Sequence, residues 1–106
     1  MKLTFKYIIV PTGAILFNEA TVHIIVAHGF QELKQEILSA GFCTIEFNNF
    51  SNANPIQIKC FGESESLKIA SKPKIDEIVV KDLFNPVSEI KYFGMNVTEL
   101  YHGANG

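Results

Sequence analysis

Cys43-Thr44-Ile45-Glu46-Phe47 and Ile56-Gln57-Ile58-Lys59-Cys60 decide the fold. In both stretches apolar and polar residues alternate, the period of a strand with one buried face. Opposed residues of an antiparallel pair keep a constant sum of positions. One register satisfies Phe47–Ile56, Ile45–Ile58 and Cys43–Cys60 together, and a slip of one residue would turn all three outward. Between the runs, Asn48 to Pro55 reads as a loop by composition. Carried past Gly62-Glu63-Ser64-Glu65, the same rule sets Leu67 against Cys60 and Ile69 against Ile58. The expectation is a three-stranded meander with one apolar face. Its other face carries Thr44, Glu46, Gln57, Lys59 and Lys68.

Upstream, Leu3, Phe5, Tyr7 and Ile9 alternate with Lys2, Thr4, Lys6 and Ile8, a strand that turns at Pro11-Thr12-Gly13 and returns through Ala14 to Phe17. Read as a three-residue loop, the turn pairs Val10 with Ala14, Ile9 with Ile15 and Tyr7 with Phe17. Asn18 to Phe30 fits two readings. Asn18 can cap a short helix over 19–28 that stops at Gly29, while the β-branched run Thr21 to Val26 favours a strand. Phe30 to Leu38 fits a short amphipathic helix or a polar loop. Downstream, Pro73 opens a helix over about 73–84, Asp76 and Glu77 suit its positive end, and Asn85-Pro86 stops it. Ile75, Ile78, Val79, Leu83 and Phe84 form its apolar stripe, the natural cover for the meander. Residues 87–106 read as a C-terminal extension with an extra strand pair around Gly94-Met95-Asn96, burying Ile90, Tyr92 and Leu100. The fold class is therefore α+β, with a mainly antiparallel sheet in one domain over 1–106.

Composition narrows the function classes. The chain has 106 residues, 47% of them hydrophobic, and a net charge of −2. That is core material for one domain and argues against intrinsic disorder. All the basic residues are Lys, and neither Arg nor Trp occurs. A nucleic-acid surface normally shows a basic excess with Arg forks, so no nucleic-acid partner is expected. No apolar run reaches membrane-spanning length, no secretory signal is evident, and two cysteines are too few for a disulfide framework. These features predict a cytoplasmic protein with reduced thiols and no membrane partner.

Few residues invite chemistry. Cys43 and Cys60 meet in the register above, which makes them either small core hydrophobes or a redox pair. His23, between Val22 and Ile24, reads as a partly buried histidine bonded to backbone, or as a ligand group with the nearby carboxylate Glu19. On a helix, His23 and His28 lie about 140° apart and cannot share a metal on one face. His28 beside Gly29 suits a helix C-terminus. Gly62-Glu63-Ser64-Glu65-Ser66 lacks the second glycine and the strand-to-helix context of a nucleophile elbow and reads as a hairpin turn. Phosphate loops, HExxH and EF-hand patterns do not occur. No catalytic residue, cofactor or firm metal site is expected.

Ser39-Ala40-Gly41-Phe42, Cys60-Phe61-Gly62-Glu63-Ser64-Glu65-Ser66-Leu67 and Ser71-Lys72-Pro73 resemble a group of small bacterial proteins of unknown function, some phage-associated. That group shares an N-terminal hairpin, a His-containing segment, a Ser-Ala-Gly-Phe strand start and a Ser-x-Pro helix opening. The resemblance spans roughly residues 5–84 and departs at Lys72, where Arg is expected. It implies no activity, only that His23 occupies a family position. The functional expectation is a non-catalytic protein-interaction module that presents a sheet face or edge to a protein partner or a second copy. The alternative is a small-ligand or metal-binding protein using His23 and Glu19.

Overall fold

The computed structural model describes residues 1–33, 35–48, 51–84 and 96–102. Strands β1 (Lys2–Val10), β2 (Gly13–Phe17), β3 (Ser39–Asn48) and β4 (Ser51–Phe61) form one antiparallel sheet in the order β2-β1-β3-β4. A small hairpin, β5 (Glu63–Ser64) with β6 (Ile69–Ala70), stands apart from it. Helices α1 (His23–Glu32), α2 (Pro73–Phe84) and α3 (Val97–His102) complete an α+β fold. No helix among the described residues is long and apolar enough to cross a membrane.

The decisive pairing holds through its centre: Cys43 faces Cys60 and Ile45 faces Ile58. It fails at the far end, where the register shifts after Glu46 and Phe47 faces Pro55, leaving Ile56 63% exposed. Both strands also run further than composition suggested, to Asn48 and from Ser51. The first hairpin is one residue off the expected register. Val10 pairs with Gly13, so the loop is the two residues Pro11-Thr12, Ile9 faces Ala14 and Tyr7 faces Leu16. Gly13, with φ +131°, takes a backbone conformation that L side chains rarely adopt.

The meander's third strand is a correction. Leu67 and Ile69 do not join β4; Ser64 pairs with Ile69 in the separate hairpin, and the inner neighbour of β3 is β1. The reason is that the sheet buries both faces. On one face Tyr7, Ile9, Cys43, Ile45 and Cys60 pack with Val79 and Val80 of α2 and with Leu100 and Tyr101 of α3. On the other, Ile8, Val10 and Ala40 pack with Ala27 of α1 and with Leu67 and Ile69. The oily residues of the hairpin were needed there. Beyond that cover the second face turns polar, and Thr4 and Thr44 meet across β1 and β3 at 3.4 Å.

Helix α2 occupies the expected span, but only part of its stripe is buried. Val79 and Val80 are covered, while Ile78 and Leu83 stay half-exposed. Its Glu77 accepts the Cys60 N–H of the outer strand β4 at 3.0 Å. Helix α1 starts later than expected and runs through Gly29. Asn18 closes a local turn instead, its side chain accepting the Ala20 N–H at 2.7 Å. The N-cap position of α1 is Val22, which offers no side-chain cap, and Ser66 of the hairpin accepts the Ile24 N–H at 3.2 Å. Within the expected strand pair of the extension, Val97–His102 is helical, with Val97, Leu100 and Tyr101 buried. Ile90, Tyr92 and the turn at Gly94-Met95 lie outside the described residues.

Candidate functional site

His23 opens α1 with its ring turned into the protein and only 3% exposed. The Nε2 atom hydrogen-bonds the Gly41 carbonyl at 2.9 Å, and Phe17 and Phe42 meet the imidazole edge-on at 5.3 and 5.8 Å. This is the backbone-bonded histidine that its apolar neighbours suggested. It forms the floor of an open cleft of about 630 Å³ whose walls include Lys6, Phe42, Glu63, Glu65 and Ser66. Glu19 lines a different depression, with Leu3, Thr4 and Phe17, so the two expected ligand residues do not share a cleft. Among the described residues no three His, Cys, Asp or Glu side chains are grouped to hold a metal ion.

Burial pushes the His23 pKa below its ordinary value of 6.5, the Gly41 bond opposes this, and Lys6 adds to it. A group whose folded pKa is depressed binds its proton more readily in the unfolded chain. The stability held by neutral His23 is therefore present above pH 6.5 and is lost as the pH falls below it. Urea unfolding at pH 7.5 and pH 5.5 is expected to show a lower midpoint at the acid value. His23→Gln should flatten that difference, and an unchanged slope in the variant would refute this account.

His28 does not sit at the helix end. It lies mid-helix, exposed, with Nδ1 3.5 Å from Glu32 one turn on. The segment Gly62 to Ser66 belongs to a hairpin, but Glu63–Ser64 is its first strand and the turn falls at residues 65–68, three positions later than expected, with Ser66 accepting the Ile24 N–H at the start of α1. Cys43 and Cys60 are buried free thiols on the core face.

Sequence reasoning missed the densest polar group, because Asp76 read as a helix-start acid. Asp76 is fully buried. Tyr7 and Ser39 hydroxyls and the Lys72 N–H donate to its Oδ2, the latter two at 2.6 and 2.8 Å, and the Tyr101 hydroxyl donates to Oδ1. The Lys72 ammonium lies 5.5 Å from the centre of the Tyr101 ring and donates to the Leu38 carbonyl at 3.0 Å. Burial, reinforced by the Asp76 carboxyl group, pushes the Tyr7 phenol far above its ordinary range. This cluster joins β1, β3, α2 and α3, and it is enclosed by the core. The available signal was Tyr7 itself: a phenol among inward-facing residues of a strand requires a buried partner.

The surface offers a different feature. Val22, Ile24, Ile25 and Leu33 are exposed along α1 and at its end. A surface helix usually keeps a polar outer stripe; α1 exposes His28, Gln31 and Glu32 there, but also Ile24 and Ile25. Ile25, at 66%, and Leu33, at 71%, are among the most exposed apolar residues of the chain, and they stand four positions either side of Gly29. A Cβ added at Gly29 would meet nothing within 4 Å.

Searches of protein-family profiles, of curated proteins and of solved structures found no match to this chain. The residues themselves carry the functional reading.

Proposed function

We propose that the protein is a non-catalytic, cytoplasmic interaction module that pairs with a second copy of itself through the outer face of α1. The observation that carries this reading is the ridge Ile25–Gly29–Leu33. Glycine inside a helix costs about 1 kcal/mol relative to alanine. No internal contact requires it at position 29. A close-packed neighbour would.

Residues four apart form one of the ridges by which helices interlock, crossing at about −50° when both helices use it. A two-fold axis through Gly29 sets glycine against glycine and places Ile25 over the partner's Leu33, and Leu33 over the partner's Ile25. The notch admits the second helix, and the two large side chains close over it. Full burial of such a side chain contributes roughly 1.5–3 kcal/mol. His28 and Glu32, 3.5 Å apart, border the ridge and give it a polar rim. Free cysteines support the cytoplasmic assignment. Kinship with the small bacterial group is part of the same proposal. The alternative, a small-ligand site at His23, draws only on the walls of an open cleft.

Light scattering across a concentration series tests the pairing. The expected result is reversible dimerisation of the 11.8 kDa chain. Ile25→Lys should weaken it at least tenfold with an unchanged circular dichroism spectrum. A monomer at all concentrations, or a dimer indifferent to Ile25→Lys, would end the proposal.

A further inference from the structure

Cys43 and Cys60 are directly opposed on β3 and β4. The kind of pair they make follows from hydrogen-bond parity. The Met1 ammonium donates to the Phe47 carbonyl at 3.2 Å, and the Phe47 N–H returns a bond to the Met1 carbonyl at 2.7 Å. Bonding alternates along a strand, so the odd-numbered residues of β3, Cys43 among them, aim their backbone groups at β1. From the other side, the Cys60 N–H goes to Glu77 and so points away from β3. Both observations make Cys43–Cys60 a non-hydrogen-bonded pair, the closer of the two kinds, with Cα atoms about 4.5 Å apart. A disulfide spans Cα separations of about 4.4–6.8 Å. The pair sits at the short end of that range, and β4 is an outer strand with freedom to adjust.

We propose that Cys43 and Cys60 are a reversible dithiol–disulfide pair whose oxidant is a small disulfide of the glutathione class. One thiolate attacks the small disulfide RSSR, forming protein–S–S–R and releasing RS⁻. The second thiolate attacks the protein sulfur of that mixed disulfide, forming the Cys43–Cys60 bond and releasing the second RS⁻. The two protons lost by the cysteines end on the released thiolates. RSSR is reduced to two RSH, and the chain loses two hydrogens. Burial pushes the Cys43 thiol up to about 12 and Cys60 higher still, so the closed structure holds almost no thiolate. Exchange therefore waits on opening of β4, which makes the bond slow to form and, once formed, slow to reduce.

The test equilibrates the full chain in mixtures of reduced and oxidised glutathione, quenches with acid, and alkylates the unfolded protein before mass spectrometry. Two species are expected: one alkylated twice, the other unalkylated and about 2 Da lighter from loss of two hydrogens. Sub-denaturing urea should speed their interconversion, and the light species should contain a Cys43–Cys60 cross-linked peptide. In Cys60→Ala, the remaining Cys43 should carry glutathione instead. Persistent glutathione adducts on the natural chain, bonds between chains, or two free thiols in fully oxidising buffer after urea-assisted opening would each overturn the proposal.

Discussion

Asp76→Ala is expected to lower the unfolding free energy by about 3–5 kcal/mol, a large share of the roughly 5–15 kcal/mol that holds a domain folded. Four donors lose their acceptor at once: the hydroxyls of Tyr7, Ser39 and Tyr101 and the Lys72 N–H. Tyr7 is completely buried and has no exposed surface through which water could compensate. The Ser39 hydroxyl keeps the Ala70 carbonyl at 3.3 Å and the Lys72 N–H keeps the Ser39 Oγ at 3.2 Å, so the loss falls mainly on the two tyrosine hydroxyls, at about 1–3 kcal/mol for each buried donor deprived of its acceptor. Tyr7→Phe and Tyr101→Phe remove one donor each and should cost about 1–2 kcal/mol apiece. Because all three residues share one network, the Tyr7→Phe and Tyr101→Phe effects should not add to the Asp76→Ala value. Urea midpoints followed by circular dichroism measure the whole set. A loss below about 1 kcal/mol for Asp76→Ala would show that the cluster does not hold the layers together.

The second large effect is expected at Gly41. A Cβ there would stand 2.6 Å from the Phe61 carbonyl oxygen, 3.1 Å from the Ser71 Cβ and 3.4 Å from the Tyr7 hydroxyl. The first of these is backbone of the neighbouring strand and cannot swing aside, so β3 and β4 must part. Gly41 is also the residue whose carbonyl holds His23. Gly41→Ala is expected to cost about 3 kcal/mol through overpacking, a fall in Tm of roughly 12–24 °C. Gly29→Ala supplies the contrast. With open space around it, that substitution should raise the stability of the dilute monomer by up to about 1 kcal/mol while obstructing the proposed helix pairing. Equal behaviour of the two variants would contradict the packing described here.

The register of β3 and β4 was legible because Cys43, Ile45, Ile58 and Cys60 must all face one way, and only one pairing achieves it. The shift at Phe47 was not, since a constant-sum rule has no means of registering a residue that bulges. Pro11-Thr12-Gly13 misled by one position because Gly13 serves equally as the last loop residue and the first strand residue. The larger error concerned Leu67 and Ile69. Their parity matched β4, but Tyr7-Ile8-Ile9-Val10 is a continuous apolar run, and all four residues are fully buried. Such a run signals a strand covered on both faces. Read that way, it calls for a second apolar layer, which α1 and the hairpin supply. His23 was legible from its neighbours. Asp76 was not, because the helix-dipole preference and the core network call for the same residue type at the same place.

The outer strands bear on how copies of the protein can meet. A sheet grows by adding a strand to an open edge, and unchecked growth of that kind gives fibres. Here β2 is only five residues long. On β4, Pro55 has no N–H to offer an incoming strand, and Glu77 already holds the Cys60 N–H. Each edge is thus a poor template for further strands. In the proposed pairing, contact between copies falls instead on the helical layer, where a two-fold arrangement uses up the patch on both chains. Such an assembly stops at two and does not propagate.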